Sequence, residues 1–325
     1  HTLVEGIVDE KEFWVLLFVN GGIWWGWRYG YVSTMDGMLE VPDELMKIAA
    51  GLLTYFIVFY SNHCYQRYVD LYQLTKKMAG LVQEIISELR IRMDDVNSRR
   101  RCARYVLAAV AMIFFEISGE TRSAHEELRP LIQAGLLTHH EVAYVVQFEG
   151  SSSFAVVHWA LEIIRKELGL ERERFLSVFS SKVYKIRKAA SQIEDILGMP
   201  MPFMYYHILN VMLVQNLSLW AFGMGCNDSI LAPLLFALTT LIFIGMRELS
   251  GMLSDPFGED DVDFPTNAWL VEIYDQAVLL LEHTFEPDFE ALCEKPFPLV
   301  NLAEFDHADD LDSGFEGYEW EDDVD

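Results

Sequence analysis

The chain has 325 residues, of which 52% are hydrophobic, and a formal net charge of -26. Soluble acidic proteins rarely have a positive mean hydropathy, so this pairing indicates that charge and apolar mass are segregated along the chain. Segment 248–325 holds 24 acidic residues against one basic residue, Lys295, and carries most of the charge. Nucleic-acid binding needs clustered Lys and Arg, so the acidic balance argues against it.

Four segments of nearly bilayer length contain no Asp, Glu, Lys or Arg. A helix needs about 20 apolar residues to cross the hydrocarbon core of a bilayer. The first segment is slightly short, but it ends in Trp and Tyr residues, which gather at the headgroup level. We therefore predict four transmembrane helices rather than the core of a large soluble protein. The segments are 13–27, 48–66, 205–225 and 229–246.

The distribution of basic residues predicts the orientation. Segment 67–204 holds 19 of the 24 Lys and Arg residues, and such residues favour the inner side of a membrane. We expect this segment on the cytosolic or stromal side, and four spans place both termini there too. The expected protein is multi-pass, and the plasma membrane and an organelle membrane such as the chloroplast thylakoid both fit.

The inner segment is predicted to be helical. Apolar residues recur at helical spacing in KKMAGLVQEIISELRIRM and in SRRRCARYVLAAVAMIFFEISG, and the same holds later for TNAWLVEIYDQAVLLLE. Alternating strand patterns of useful length are missing, so the predicted fold class is all-α. We divide the chain into a membrane part with the first two spans, an inner helical region, the last two spans, an acidic loop with a helix, and an acidic tail. Their bounds are 1–66, 67–204, 205–247, 248–306 and 307–325.

Two features argue against metal or redox enzymology. Cys64, Cys102, Cys226 and Cys293 lie far apart and form no CxxC pair, which predicts neither a zinc site nor a disulfide framework. The run LTHHE at 137–141 lacks the i, i+4 histidine pair of HExxH and an obvious third ligand. We interpret its His139, His140 and Glu141 as the start of a helix and predict no enzyme.

An acidic loop, PFGEDDVDF at 256–264, follows the last apolar segment. Asp260 and Asp263 are three residues apart after the flexible Gly258, so both carboxylates can point at one cation. Calcium takes six to eight oxygen ligands, commonly carboxylates and backbone carbonyls. The loop lacks the ligand spacing of an EF-hand. The alternative is a solvated acidic entrance to the following helix, since carboxylates also favour helix N-termini.

The same loop resembles the acidic signature of the bestrophin anion channels. Three further motifs resemble the family in order: FYSNHCYQRY at 59–68 in its second membrane helix, and RRCARY at 100–105 and PLIQAGLLTHHE at 130–141 in its inner helices. The resemblance covers positions from about 55 to 280. It implies a homopentamer of helical subunits around one pore, which conducts chloride and other monovalent anions such as bicarbonate and nitrate.

The family resemblance also implies a calcium ion bound by a clasp on the inner side. Carried over to this chain, the carboxylate ligands are Asp260 and Asp263. Met252 and Asp255 fall at positions that donate backbone carbonyls, and Glu259 lies nearby.

In the family, the second membrane helix lines a hydrophobic neck with three bulky apolar residues. The corresponding residues here are Gly51, Tyr55 and Phe59, of which only Phe59 fits unchanged. The neck is therefore expected to be wider or wetter, unless Leu52 and Phe56 face the axis instead. Tyr55 and Phe59 could also simply pack between helices.

Asn62 and His63 follow the neck and could offer hydrogen-bond donors to a passing anion, although a membrane His more often satisfies a neighbouring helix. A second class of protein stays open: a non-conducting membrane scaffold whose acidic tail recruits a protein partner.

Overall fold

The structure is a computed structural model in which every regular element of the described residues is an α-helix, in agreement with the predicted fold class. The described residues are 10–29, 43–118, 128–148, 151–167, 172–199, 203–227, 229–258 and 262–282. The helices are α1 (Lys11–Arg28), α2 (Asp43–Arg92), α3 (Val96–Ser118), α4 (Arg129–Gln133), α5 (His139–Gln147), α6 (Ser152–Glu167), α7 (Arg172–Gly198), α8 (Phe203–Gly225), α9 (Ala232–Ser254) and α10 (Thr266–Glu282).

The described helices belong to one compact unit, His1–Glu282. A second unit, His283–Asp325, lies outside the described residues, and so does the predicted acidic tail.

The second helix is the longest element, with 50 residues, and at 1.5 Å per residue it spans about 75 Å. It contains the second apolar segment and the first amphipathic inner segment. The helix continues through position 66, where the predicted membrane part ends, and Gly51 and Gly80 do not interrupt it. The membrane part and the inner helices therefore share one continuous rod.

Four helical segments contain the predicted spans, and we call them the membrane part: α1, the first half of α2, α8 and α9. They bury a common apolar core. One face of each helix contributes to it, as expected for helices whose other sides meet lipid or further protein. The core residues are Phe13, Leu53, Ile57, Tyr60, Cys64, Leu209, Leu213, Leu217 and Ile244.

By length and hydropathy, two helices of the described chain can cross a membrane: Tyr205–Gly225, with a mean hydropathy of 1.3, and Ala232–Ser254, with 1.5. The charge-free segments 13–27 and 48–66 lie within α1 and α2 but do not reach this hydropathy. Their Trp, Tyr, Gly and amide side chains score low on a hydropathy scale although they suit a membrane interface or a helix contact. The count of four spans therefore stays a prediction.

The inner helices enclose a second and larger core around α3. This helix is buried along most of its length, packs against α6, and is flanked by the second half of α2, by α7 and by α10. Cys102 is fully buried in it, and burial raises the pKa of its thiol to about 12. Cys64, Cys102 and Cys226 are free thiols, while Cys293 lies outside the described residues.

The turn between α4 and α5 bears out the interpretation of LTHHE as a helix start. Gly135 has a φ of 70°, which a residue with a side chain rarely adopts. Thr138 then caps α5 in a reciprocal capping box: its hydroxyl accepts from the Glu141 backbone N–H at 3.3 Å, and the Glu141 carboxylate accepts from the Thr138 backbone N–H at 2.7 Å. Glu141 is therefore engaged in local structure.

Candidate functional site

An exposed face of α2 carries the residues predicted to form the neck. Tyr55 is 66% exposed and Phe59 is 55% exposed, and their rings lie nearly parallel with centroids 6.5 Å apart. A Cβ added to Gly51 would meet no atom within 4 Å, so this position also faces open space. Leu53 and Ile57, on another side of the same helix, are buried in the membrane core. One side of α2 thus packs in the membrane core, while the described residues of the chain leave its aromatic side exposed.

The alternative neck pair divides between these two sides. Leu52 is exposed and borders the aromatic face. Phe56 packs against the ring of Tyr205 on α8, with centroids 5.8 Å apart, and the Tyr205 hydroxyl donates to the Phe56 carbonyl at 3.4 Å. Phe59 also reaches Tyr205, at 5.9 Å, so it lies at the edge of the bundle rather than inside it.

Polar side chains follow the aromatic face toward the inner end of α2. Asn62 and His63 are both exposed, and the next residue, Cys64, is buried in the membrane core. On the packed side, the hydroxyls of Ser61 and Ser250 hydrogen bond at 2.7 Å and join α2 to α9. The face therefore changes along α2 from apolar and aromatic to hydrogen-bonding.

The acidic loop between α9 and α10 is closed by its own backbone and held against α2. The Phe264 N–H donates to the Pro256 carbonyl at 2.9 Å, which brings the two ends of the loop together. The hydroxyl of Tyr68 on α2 donates to the Val262 carbonyl at 3.1 Å. An aromatic cluster surrounds this attachment, with ring centroids 4.7 to 5.9 Å apart: Tyr68, Tyr72, Phe257, Phe264 and Trp269.

Within this loop the Asp263 carboxylate lies against the backbone of Gly258. A Cβ added to Gly258 would stand 2.9 Å from Asp263 Oδ2, closer than side chains normally approach. The Tyr68 hydroxyl binds the carbonyl of the preceding residue, Val262, and burial together with the charge of the neighbouring Asp263 raises the pKa of this phenol. The loop thus brings the carboxylate of Asp263, a predicted calcium ligand, close to Gly258, which is three residues after Asp255.

The predicted calcium ligands are only partly described. Asp255 caps the C-terminus of α9, and Met252 lies in the last turn, where helix geometry leaves backbone carbonyls without partners in the helix. Glu259, Asp260 and Asp261 lie outside the described residues. Within the described part of the loop and its surroundings, three acidic, His or Cys side chains do not converge on one point. Carboxylate and carbonyl oxygens nevertheless suit a hard cation such as calcium.

A cleft of about 510 Å³ lies beside Asp255 and Gly258 and is bordered by Arg67 of α2. The Arg67 guanidinium donates to the carbonyls of Leu197 and Met199, at 3.5 and 2.9 Å, where α7 ends. A cation at the C-terminus of a helix is favourable because the backbone carbonyls there carry partial negative charge. Arg67 therefore joins the inner end of the α2 membrane segment to α7.

Sequence reasoning missed an ion-pair cluster that joins α1 to α9. Arg247 is 8% exposed; its guanidinium pairs with Glu12 at 2.9 Å and with Glu248 at 2.7 Å. The available signal was a lone cation directly after the apolar segment 229–246. Asn20 was missed too: it is fully buried, and its side-chain amide donates to the Ala221 carbonyl of α8 at 2.8 Å.

These features define an all-helical membrane protein with an uncovered aromatic helix face and an acidic loop at the inner end of its last apolar helix. Comparison with known proteins gives the family. Residues 38–280 match the family model described as "Bestrophin, RFP-TM, chloride channel", and the chain belongs to the bestrophin family. The resemblance predicted from the motifs is confirmed.

Curated relatives carry the same family name. Bestrophin homolog 24 of Caenorhabditis elegans is 22% identical over 316 residues, which cover 86% of this chain and 50% of the relative. Bestrophin homolog 13 of the same organism is 24% identical over 264 residues, which cover 75% of this chain and 63% of the relative. The chain thus spans about half to two thirds of the length of these relatives.

Solved structures share the fold. A crystal structure of a bacterial bestrophin homolog from Klebsiella pneumoniae with one mutation gives a TM-score of 0.74 at 17% identity, covering 86% of this chain and 98% of that chain. Another, described as a membrane protein, gives a TM-score of 0.72 at 16% identity, covering 82% and 97%. At such low identity the likeness establishes the fold alone.

Proposed function

We propose that several copies of this chain assemble around a central pore that conducts chloride and other monovalent anions such as bicarbonate and nitrate. The observation that carries the proposal is the uncovered aromatic face of α2 in a chain whose family model is described as a chloride channel. An aromatic face that the described residues of its own chain leave uncovered fits either lipid or the same face of further copies. The polar residues that follow it favour a water-filled path, because lipid does not satisfy Asn62 and His63.

The proposed assembly is a homopentamer in a multi-pass arrangement with four membrane helices per subunit. The two segments of lower hydropathy, 13–27 and 48–66, then cross the membrane in contact with protein or the pore rather than with lipid alone. This arrangement suits their Trp, Tyr and amide content. The membrane is that of the cell surface or of an organelle.

The proposed neck is formed by Gly51, Tyr55 and Phe59. Hydrophobic constrictions gate by losing water, and a ring hydroxyl or a missing side chain makes that loss harder. Gly51 and Tyr55 therefore give a neck that is wetter than one lined by three aliphatic or bare aromatic side chains. Asn62 and His63 offer donors to the anion after it passes Phe59.

The proposed calcium clasp uses the Asp260 and Asp263 carboxylates, with Met252 and Asp255 as carbonyl donors and Glu259 beside them. Two observations support it: the Phe264–Pro256 hydrogen bond closes the loop, and Asp263 lies against Gly258. Bound calcium would neutralise the carboxylates of the loop. Helix α2 would connect the clasp to the pore, since Tyr68 holds the acidic loop on α2 and the same helix carries the proposed neck.

Single-channel recording tests this function. The purified protein in a planar bilayer, under a chloride gradient and with inner-side calcium raised from chelated to micromolar, is expected to give currents that reverse near the chloride equilibrium potential. The openings are expected to require calcium and to disappear in the double variant Asp260→Ala with Asp263→Ala. Chloride current that is indifferent to calcium would remove the regulation and leave the channel; absence of current would favour a non-conducting scaffold.

The neck is tested in the same recordings. Phe59→Ala is expected to change gating and raise conductance, because it removes a ring from the proposed constriction. Leu238→Ala is the matched control, because Leu238 is an exposed apolar residue on α9, outside the proposed neck. Unchanged gating in Phe59→Ala would mean that this ring packs between helices instead.

A further inference from the structure

The inner helices enclose a cavity that is separate from the α2 face and from the acidic loop. It has a volume of about 320 Å³ and lies between α3, α6 and α7. Its apolar walls include Ala109, Ile113, Val157, Val183, Ile186 and Ala190. Sites for small molecules typically measure about 300–1,000 Å³ and are mostly apolar with a few convergent polar groups, so this cavity is at the small end of that range.

The cavity exists because small residues meet where larger ones would fill the space. Ala109 of α3 and Ala190 of α7 face it, and so does the run Ser151–Ser153 at the start of α6, whose last member is 4% exposed. Protein interiors are otherwise close-packed, and an empty apolar cavity of this size destabilises the surrounding structure. A ligand with an apolar body would restore the missing contacts.

The rim of the cavity holds one guanidinium that is not used in an ion pair with any described residue. Arg187 lies over the ring of Phe154, with its guanidinium carbon 4.2 Å from the ring centroid. This contact holds the guanidinium at the mouth, where its N–H groups make no hydrogen bond to a described residue. A guanidinium binds a carboxylate through two parallel hydrogen bonds, which are stronger than those between neutral groups.

Two further features of the rim restrict the ligand. The hydroxyls of Ser151 and Ser153 hydrogen bond to each other at 3.2 Å, so the pair retains one hydroxyl hydrogen as a neutral donor beside the apolar walls. Glu116 and Glu194 stand at the same mouth. Their negative charges disfavour a phosphate or a dicarboxylate, and their carboxylates cannot donate to an anion. Among the described lining residues Arg187 is the one cation, and its position beside apolar walls and acidic groups favours a ligand with a single carboxylate over one with more negative charge.

We propose that this cavity binds a small organic monocarboxylate, with its carboxylate on Arg187 and its apolar body between α3, α6 and α7. The site does not depend on conduction, since none of its residues lies on α2 or in the acidic loop. Its ligand differs from a permeant halide because the walls reward an apolar body that a halide lacks.

Calorimetric titration of the full chain in lipid nanodiscs with 3-phenylpropionate tests the proposal, with protein-free nanodiscs as the blank for lipid partitioning. The expected result is saturable binding with one site per chain. Arg187→Gln is expected to weaken binding about tenfold to a hundredfold, as for the loss of a charge-assisted hydrogen bond. Lys188→Gln, an exposed neighbour outside the cavity, is the matched control and should bind as the unmodified chain does.

A second variant and two analogues keep the test decisive. Ser191→Leu, at the exposed rim, is expected to obstruct the mouth without disturbing the core. The amide 3-phenylpropanamide should bind at least tenfold more weakly than the acid. Equal binding of acid and amide, preferential binding of 3-phenylpropylamine, or undiminished binding in both Arg187→Gln and Ser191→Leu would each overturn the proposal.

Discussion

Single residues fix the local geometry of the inner region, and Glu141 is the clearest example. Its carboxylate accepts from the Tyr105 hydroxyl at 2.5 Å and from the Thr138 backbone, and it pairs with Arg104 at 2.8 Å. Burial opposes the charge, but these hydrogen bonds and the Arg104 charge outweigh it and lower the pKa of the carboxyl. One side chain therefore joins the start of α5 to α3.

The substitution Glu141→Gln is expected to lower the free energy of unfolding by about 2 kcal/mol, because it weakens the helix cap and leaves Arg104 without its charge partner. The folded-state pKa is lowered, so the stabilisation is present above the unfolded value of about 4.5 and is lost as the pH falls through the lower folded value. Thermal unfolding at pH 7 and at pH values below 4.5 measures this. Glu162→Gln is the control, because Glu162 is exposed. If the difference in free energy of unfolding between the unmodified chain and Glu141→Gln persists unchanged in acid, the expectation is contradicted.

Gly258 is a second decisive residue, because its missing side chain leaves room for the Asp263 carboxylate. Gly258→Ala would place a Cβ 2.9 Å from Asp263 Oδ2 and force the carboxylate to move. Because Asp263 is a ligand of the proposed calcium clasp, the expected result is a calcium affinity reduced about tenfold or more. Calcium-dependent thermal stabilisation reports the affinity. Gly80→Ala, whose added Cβ meets no atom within 4 Å, should leave the affinity unchanged.

At the scale of elements, close helix approach holds the membrane part together. A Cβ added to Gly225 of α8 would lie 2.7 Å from the Ile23 side chain of α1 and 3.4 Å from the Asn20 carbonyl. Small residues of this kind let membrane helices approach each other closely. The resulting van der Waals packing stabilises the helix pair, because the hydrophobic effect does not drive helices together in lipid. The ion pair between Arg247 and Glu12 fastens the other end of α1.

Gly225→Ala is therefore expected to destabilise the membrane part by about 1–3 kcal/mol, as overpacking does. Gly223→Ala is the matched control on the same helix: its Cβ would meet the Sδ of Met46 at 2.7 Å, but a flexible Met side chain can move aside. Thermal unfolding in detergent distinguishes the two, and equal losses would show that the approach of α1 is not what limits position 225.

Sequence patterns predicted the elements better than their contacts. Charge-free segments and helical periodicity located α1, α8, α9 and α10, and the start of α5 at His139 was predicted because a helix start is a local feature. The Arg247–Glu12 pair joins residues 235 positions apart, and its formation depends on helix register that periodicity does not encode. The unbroken length of α2 was also hidden, because a change in composition near position 66 suggested a boundary where the backbone simply continues.

At the scale of the whole molecule, large apolar side chains stay exposed on the surface of the single chain. The exposed large side chains include Ile48, Leu52, Tyr55 and Phe59 on α2, and an apolar area of this kind on a folded chain marks contact with lipid or another protein. Lipid covers the outside of a membrane protein but cannot satisfy the polar residues that continue this face. Further copies of the chain are the proposed cover.

Native mass spectrometry of the purified protein tests that expectation directly. The expected mass is about five times the 37.5 kDa of one chain. A monomer or dimer in a detergent that preserves the helical fold would contradict the proposed pore, because neither can surround an axis with the α2 face.

The continuous course of α2 has a rotational consequence. Phe59 and Tyr68 are nine residues apart, and at about 100° per residue they point to nearly opposite sides of the helix, about 13 Å apart along its axis. The side of α2 that contacts the acidic loop through Tyr68 is therefore nearly opposite to the side that carries the proposed neck. One residue inserted between Phe59 and Tyr68 would rotate the two sides relative to each other by about 100°. Four inserted residues would rotate them by about 400°, which is only about 40° from the original orientation. The number of residues in this stretch of α2 therefore fixes the relative orientation of the two sides.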